Sequence, residues 1–402
     1  MCYSVDEMRV LREDYRRTLL DEIAPFWVRH GWDREHGGIH TALNEDGSLI
    51  DSDKSVWFQG RAAWTYSTLG QAYGAEGDWT RLAGSCLSFL REHCRADDGK
   101  LYFTMTREGR PLRMRRRYAF SESFACVGSA AYAQLTGDER AALEAMAYFE
   151  RYLEVMRTGG GVEPKVEVAT RPMKGLAPQM ILLAMAQELR ADLGDVTVGG
   201  ATCTQWIDRV IDEVETAFLK PDLQALMEVV GENNEVLDHF DGRMLVPGHA
   251  IECAWFILHE VRVRGGDARL LKLGLTILDW MWERGWDREF GGMLYFTDLK
   301  GLPVQEYWAE MKFWWPHNET EIATLLAWHL TGDESYARKH QQVREWSRKV
   351  FVDTKGGGDW FGYAHRDGRI STRLKGNMWK GPFHIPRMYW YCEQLLAERL
   401  RR

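Results

Sequence analysis

The string Gly-Trp-Asp-Arg-Glu-His-Gly-Gly at residues 31–38 returns as Gly-Trp-Asp-Arg-Glu-Phe-Gly-Gly at 285–292. An eight-residue match with one difference marks an internal repeat. A repeat restricts the fold strongly, because each unit must bury its apolar face against a neighbour of the same kind. Each copy runs into a short alternating stretch and a turn. The first reads Ile39 to Leu43 with a turn from Asn44 to Gly47, and the second Met293 to Thr297 with a turn from Asp298 to Gly301. Alternation closed by Asn or Asp near Gly is a hairpin signal. The same form recurs at Lys100 to Thr106, closed by Gly109, and at Trp360 to Ala364, closed by Gly368. From Gly38 to Gly99 is 61 residues, from Gly292 to Gly358 is 66, and from Gly99 to Gly292 is 193. A period of about 64 residues accounts for all three. It predicts further hairpins near residues 164 and 228. Residues 226–237 (LMEVVGENNEVL) fit well, and residues 161–169 (GVEPKVEVA) fit weakly.

The stretches between hairpins have helical periodicity. Trp64, Leu69 and Tyr73, then Leu82, Leu87 and Leu90, mark two helices in one unit. Ala141 to Met156 and Trp206 to Phe218 read as amphipathic helices. Two helices and a hairpin, six times over, predict an all-α fold. It is an (α/α)6 barrel of six helical-hairpin repeats, with short β-hairpins in the loops at one end, and residues 1–402 form one catalytic domain. An open solenoid has the same period. The likeness of units one and five, and the lack of polar capping repeats, favour closure.

Composition excludes several classes. The net charge is −8 with no basic stripe, which argues against a nucleic-acid partner. The one dense basic run, Arg113 to Arg117, reads as a solvated loop. The seven cysteines (Cys2, Cys86, Cys94, Cys126, Cys203, Cys253 and Cys392) are scattered and form no Cys-x-x-Cys pair. That pattern fits a reducing compartment and argues against a zinc or disulfide framework. The N-terminus has no signal-like apolar region and no apolar run is long enough to span a membrane. A cytoplasmic location is expected. Eighteen tryptophans are many for this length. Such rings fill cores or line a cleft where the C–H face of a sugar stacks.

In a closed ring the segment after each hairpin enters an inner helix, so its first turns line one mouth of the barrel. Those segments hold Arg61 in unit one, His249 with Glu252 and Trp255 in unit four, and Trp314, Trp315, His317 and Glu319 in unit five. Unit six supplies His384. Arg61 lies 14 residues after Gly47, His317 16 after Gly301, His384 16 after Gly368 and His249 18 after Gly231. Four units thus present an Arg or His at a similar register. His249 and His384 are the candidate catalytic residues. Arg61, Glu252, Glu319, Trp255, Trp315 and His317 are the candidate substrate-binding residues. Glu252 and Glu319 stand three and two residues beyond a histidine, where they would orient those imidazoles. No compact His-Glu-x-x-His pair is present, so no metal is expected.

The chain resembles the N-acylglucosamine 2-epimerase family, the renin-binding-protein group, from about residue 15 to residue 397. The strings that carry the resemblance are Val56-Trp57-Phe58-Gln59-Gly60-Arg61, Thr170-Arg171-Pro172-Met173-Lys174 and Pro247-Gly248-His249-Ala250-Ile251-Glu252. Lys312-Phe313-Trp314-Trp315-Pro316-His317 and Trp379-Lys380-Gly381-Pro382-Phe383-His384-Ile385-Pro386-Arg387 complete the set. The resemblance implies interconversion of N-acetylglucosamine and N-acetylmannosamine on an (α/α)6 barrel. It implies catalytic roles for His249 and His384 and site roles for Arg61, Glu252 and Glu319. It also implies that no cofactor is required, with ATP entering as an activator that is not consumed. The expected partners are a small sugar and a second copy of the chain. Three other readings stay open on sequence. They are an epimerase of unsubstituted mannose or glucose, an aldose–ketose isomerase, and a glycoside hydrolase using Glu252 with Glu319.

Overall fold

The computed structural model describes residues 3–74, 78–113, 119–159, 167 and 169–401. Most of the weak hairpin at 161–169 and most of the Arg113–Arg117 run lie outside the described residues. The chain opens with α1 (Val5–Arg17) and α2 (Ala24–His30), joined by a π turn at Thr18–Ile23. Inner and outer helices then alternate: α3 (Val56–Tyr73) and α4 (Trp79–His93), α5 (Phe120–Thr136) and α6 (Glu139–Thr158), α7 (Leu176–Leu193) and α8 (Cys203–Glu213). After the single-turn α9 (Phe240–Arg243) come α10 (Pro247–Val263), α11 (Ala268–Gly285), α12 (Trp314–Thr331), α13 (Glu334–Phe351) and α14 (His384–Arg399).

The two rings differ in sequence for a physical reason. In α12 every residue from Trp314 to His329 is buried, as is every residue of α3 from Val56 to Gly70. A helix covered on all sides cannot carry a solvated face. By contrast, α13 buries only Tyr336, Ala337, His340, Val343, Ser347 and Phe351, the stripe of an amphipathic outer helix. The ring closes through its ends. The outer helix α1 covers the inner helix α14, where Arg12 pairs with Glu393 at 2.6 Å. Among the described residues no helix is long and apolar enough to cross a membrane.

The mouth is bound by short strands that pair between units. Lys54–Ser55, just before α3, pairs with Thr104–Met105 of the next unit. Lys174–Gly175 pairs in the same way with Val229–Val230, Met244–Leu245 with Thr297–Asp298, and Lys312–Phe313 with Tyr363–Ala364. Unit six returns to unit one through Lys375 N–H to the Leu43 carbonyl at 3.1 Å and Leu43 N–H to the Gly376 carbonyl at 3.2 Å. Hairpins form at 42–51, 104–113 and 363–372. Two expectations need correcting. The segments 226–237 and 293–301 contain their turns, but their strands pair across units rather than folding back on themselves.

The repeated octapeptide is an inter-unit clasp. Gly37 and Gly38 adopt φ of 76° and 72°, a left-handed pair that only glycine enters without strain. The loop they close receives the fully buried ammonium of Lys54, which donates to Asp33 at 2.9 Å, the Gly37 carbonyl at 2.7 Å and the Arg107 carbonyl at 2.8 Å. Arg107, from the next unit, chelates Asp33 with its guanidinium. The second copy repeats this with Lys312, Asp287, the carbonyls of Gly291 and Arg366, and the Arg366 guanidinium. A third, degenerate copy joins Lys375 to Asp353 at 2.9 Å and to the Gly357 carbonyl at 3.0 Å.

Candidate active site

The N-terminal turns of α10, α12 and α14 carry the candidate residues His249, Glu252, Trp315, Glu319 and His384. Gly248 sets the approach of the first two, since a Cβ there would meet the Trp315 ring at 2.8 Å. Its absence lets α10 close onto that indole, and His249 lies tilted against it at 5.0 Å between ring centroids. His384, from the opening of α14, lies against the same indole at 6.0 Å. One tryptophan therefore stands beside both histidines.

Each imidazole is gripped at Nδ1 by a carboxylate. His384 donates Nδ1–H to Glu319 Oε1 at 2.7 Å. His249 Nδ1 lies 3.1 Å from both oxygens of Glu228. A proton held at Nδ1 leaves the lone pair on Nε2, the form a general base needs. Burial, then the guanidiniums of Arg61 and Arg387, hold His384 well below the ordinary imidazole range, so it is neutral at working pH. His249 is more open, with 31% of its side chain exposed.

Arg387 organises the carboxylates. Its Nη2 reaches Glu252 at 2.6 Å and Glu319 at 2.7 Å, and stands 3.4 Å from His384 Nδ1. Trp255 donates its indole N–H to Glu319 Oε2 at 2.8 Å. Arg61 is buried among aromatic rings, with its carbon centre 4.0 Å from Phe124 and 4.7 Å from both Trp57 and Phe383. Burial, then Arg387, pushes its guanidinium down to about 9.

The structure thus brings His249, His384, Trp315, Glu319, Trp255, Glu252 and Arg61 to one mouth of the barrel, but it changes their partnerships. Glu252 faces Arg387 rather than His249, and Glu319 serves His384 rather than His317. The missing partner of His249 is Glu228, in the hairpin that leads into α10 within the same unit. No sequence signal marks it, because 21 residues separate the pair. Arg387 was missed as well, although its place three residues after His384 on one helix face could have marked it.

His317 is not in the cluster. It is fully buried, donates Nδ1–H to the Phe313 carbonyl at 2.6 Å, accepts the Met293 N–H at 2.8 Å and stacks on Trp346 at 4.6 Å. Burial pushes it down to about 3. Gln59 accepts the Ile39 N–H and Glu122 the Leu101 N–H in the same manner. The register that His317 shares with these two therefore turns outward to hold the hairpin. Trp314 also packs into the wall, against Phe313 and Tyr363.

Glu252, Glu319 and His384 offer ligand atoms within 4.8 Å of one another, close enough to hold a cation. A metal would have to displace the Arg387 guanidinium, which already supplies both carboxylates with a positive charge.

Two imidazoles with Nδ1 tied to carboxylates, beside a shared indole at the mouth of a helical barrel, form an arrangement suited to proton transfer. The N-acylglucosamine 2-epimerase family model matches residues 37–385. The N-acylglucosamine 2-epimerase of Mus musculus is 34% identical over 400 residues, covering 95% of this chain and 91% of that protein. The Bos taurus enzyme of the same name is 34% identical over 405 residues, with 98% and 92% covered. The structure of cellobiose 2-epimerase from Spirochaeta thermophila superposes with a TM-score of 0.83 at 19% identity, covering 98% of each chain. The chain belongs to the N-acylglucosamine 2-epimerase family and is an isomerase acting on carbohydrates.

Proposed function

We propose that this protein interconverts N-acetylglucosamine and N-acetylmannosamine by opening the sugar ring and moving the proton at C2 between two bases. The observation that carries the reading is the pair of carboxylate-held imidazoles, His249–Glu228 and His384–Glu319, both set against Trp315. The C2 hydrogen becomes acidic only when C1 is an aldehyde, because the carbanion then delocalises onto O1. Inversion requires removal from one face and return on the other, so one base on each face suffices. His384 is neutral, and Glu319 on its Nδ1 leaves the Nε2 lone pair to accept a proton. His249, held at Nδ1 by Glu228, supplies the second base. Arg61 stands to receive the charge that develops on O1, a contribution often worth about 3 kcal/mol.

Glu252 and Glu319 share one guanidinium and sit side by side. That arrangement disfavours a glycoside hydrolase, which needs an acid and a base on opposite sides of the scissile bond. Every proton step has a side chain to perform it, so the mechanism calls for no cofactor, and ATP acts as an activator that is not consumed. The sugar is the partner, and the enzyme works as a homodimer in the cytoplasm. Six buried, unpaired cysteines among the described residues support a reducing compartment.

The test is an NMR assay of N-acetylmannosamine, mannose, glucose and cellobiose, with and without ATP. Conversion of the N-acetylated sugar, with His249→Asn and His384→Asn each lowering the rate roughly 10²–10⁴-fold, is the expected result. Full activity in either variant, or turnover of only the unsubstituted sugars, would contradict the proposal.

A further inference from the structure

Arg61 is 8% exposed, yet among the described residues it forms no ion pair and its Nε has no hydrogen-bond partner. Both nearby carboxylates are taken, since Glu252 and Glu319 are bonded to Arg387. What surrounds Arg61 instead is a box of ring faces: Phe124 at 4.0 Å, Trp57 and Phe383 at 4.7 Å and Phe58 at 5.2 Å. Aromatic faces offset part of the cost of burying a cation but supply no oxygen for its N–H groups. A guanidinium kept dry and without an anion gains more from a carboxylate than one in water does.

A sugar substrate is neutral, so it leaves this imbalance in place. On the epimerase reading, which this inference rests on for its chemistry, the anion appears only transiently, on O1 of the opened chain. An open-chain sugar acid carries the same charge at the same carbon permanently, on a planar C1. We propose that the pocket is a binding site for aldonates, sugars oxidised to the carboxylate at C1, with Arg61 as the residue that recognises the carboxylate. Aldonates are then competitive inhibitors that hold the site in its charge-compensated state. The neutral alditol of the same skeleton has the same hydroxyls and chain length but nothing for Arg61.

Calorimetric titration at fixed ionic strength compares 2-acetamido-2-deoxygluconate with 2-acetamido-2-deoxyglucitol. The aldonate is expected to bind at least about tenfold more tightly. Arg61→Lys should shrink that margin and Arg61→Met abolish it, with alditol binding changed less. Equal binding of the two by the unmodified protein overturns the proposal. So does a preference that survives Arg61→Met, or displacement of the alditol by acetate alone with no further gain from the aldonate. Turnover is followed by NMR on the same preparation. Aldonate preference without turnover would remove the epimerase reading and keep the anion site, and turnover without the preference would remove the anion site alone.

Discussion

Glu228 and Glu319 do the same work for different histidines, and neither stands where chain proximity suggests. A carboxylate on Nδ1 fixes the tautomer and orients the ring. Glu228→Gln keeps the shape and one acceptor but removes the charge behind His249. We expect kcat to fall about 10–100-fold with a smaller change in KM, because the His249 ring would lose the charged partner that orients it. An unchanged kcat would reduce Glu228 to a packing role. At this scale the sequence was informative about residue types and poor about partners. His249, His384 and Arg61 were legible because each follows a hairpin at a similar register, and Glu319 because it stands two residues beyond His317. Their pairings were not, because contacts of 2.6–3.1 Å, within a unit for His249 and between units for His384 and Arg387, are decided by how the elements turn against each other. His317 shares the register and faces the other way, since a helix that is buried all round has an outward side as well as an inward one.

The elements that hold these residues are short strands and clasps. Lys54 and Lys312 are fully buried, each surrounded by a carboxylate and two carbonyls. Removing such a charge strands its partners, a loss of about 3–5 kcal/mol. Lys54→Met is expected to lower the free energy of unfolding by an amount in that range, read by denaturant titration, whereas Lys54→Ala at the same site should do no better. A neutral effect would show that the clasp is dispensable. Gly248→Ala tests the approach of α10 to Trp315. The added methyl must push the indole away, so activity should drop while the helices persist by circular dichroism. The octapeptide repeat was visible in the sequence because a clasp needs the same Asp, Gly and Gly at the same spacing in each copy. The strand pairing was not, since hairpin signals fix the turn but leave open whether a strand finds its own hairpin or the neighbouring unit.

The whole molecule is a ring whose closure depends on contacts between its ends, Arg12 with Glu393 and Leu43 with Lys375 and Gly376. The period announced a ring or a solenoid, and only these end contacts decide between them. The charge buried in the ring gives it a pH signature. Burial pushes His317 down to about 3 and His259 to about 4. Both are neutral in the fold, while the unfolded chain takes up protons below about pH 6.5. Their contribution to stability is complete above that pH and is lost as pH falls toward 4 and then 3. Asp287 and Asp353 are held at about 2 although burial opposes this, the first by Arg366 and Lys312, the second by the Gly356 N–H and Lys375. Their contribution is complete above about pH 4 and is lost as pH falls through 2. Thermal unfolding should therefore show Tm declining from about pH 6.5 and more steeply below 4. A Tm that rises between pH 6.5 and 4 would contradict the burial of neutral imidazoles. The same ring brings units four and six to one pocket, and the proposed inversion rests on that meeting. Its most direct test is N-acetylmannosamine turned over in D2O and sampled at early conversion by NMR. With a separate base on each face, the N-acetylglucosamine formed should carry deuterium at C2 while unreacted substrate still carries protium, and no ketose should appear. Product that keeps its original C2 hydrogen, returned by a single shuttling base, would contradict the account.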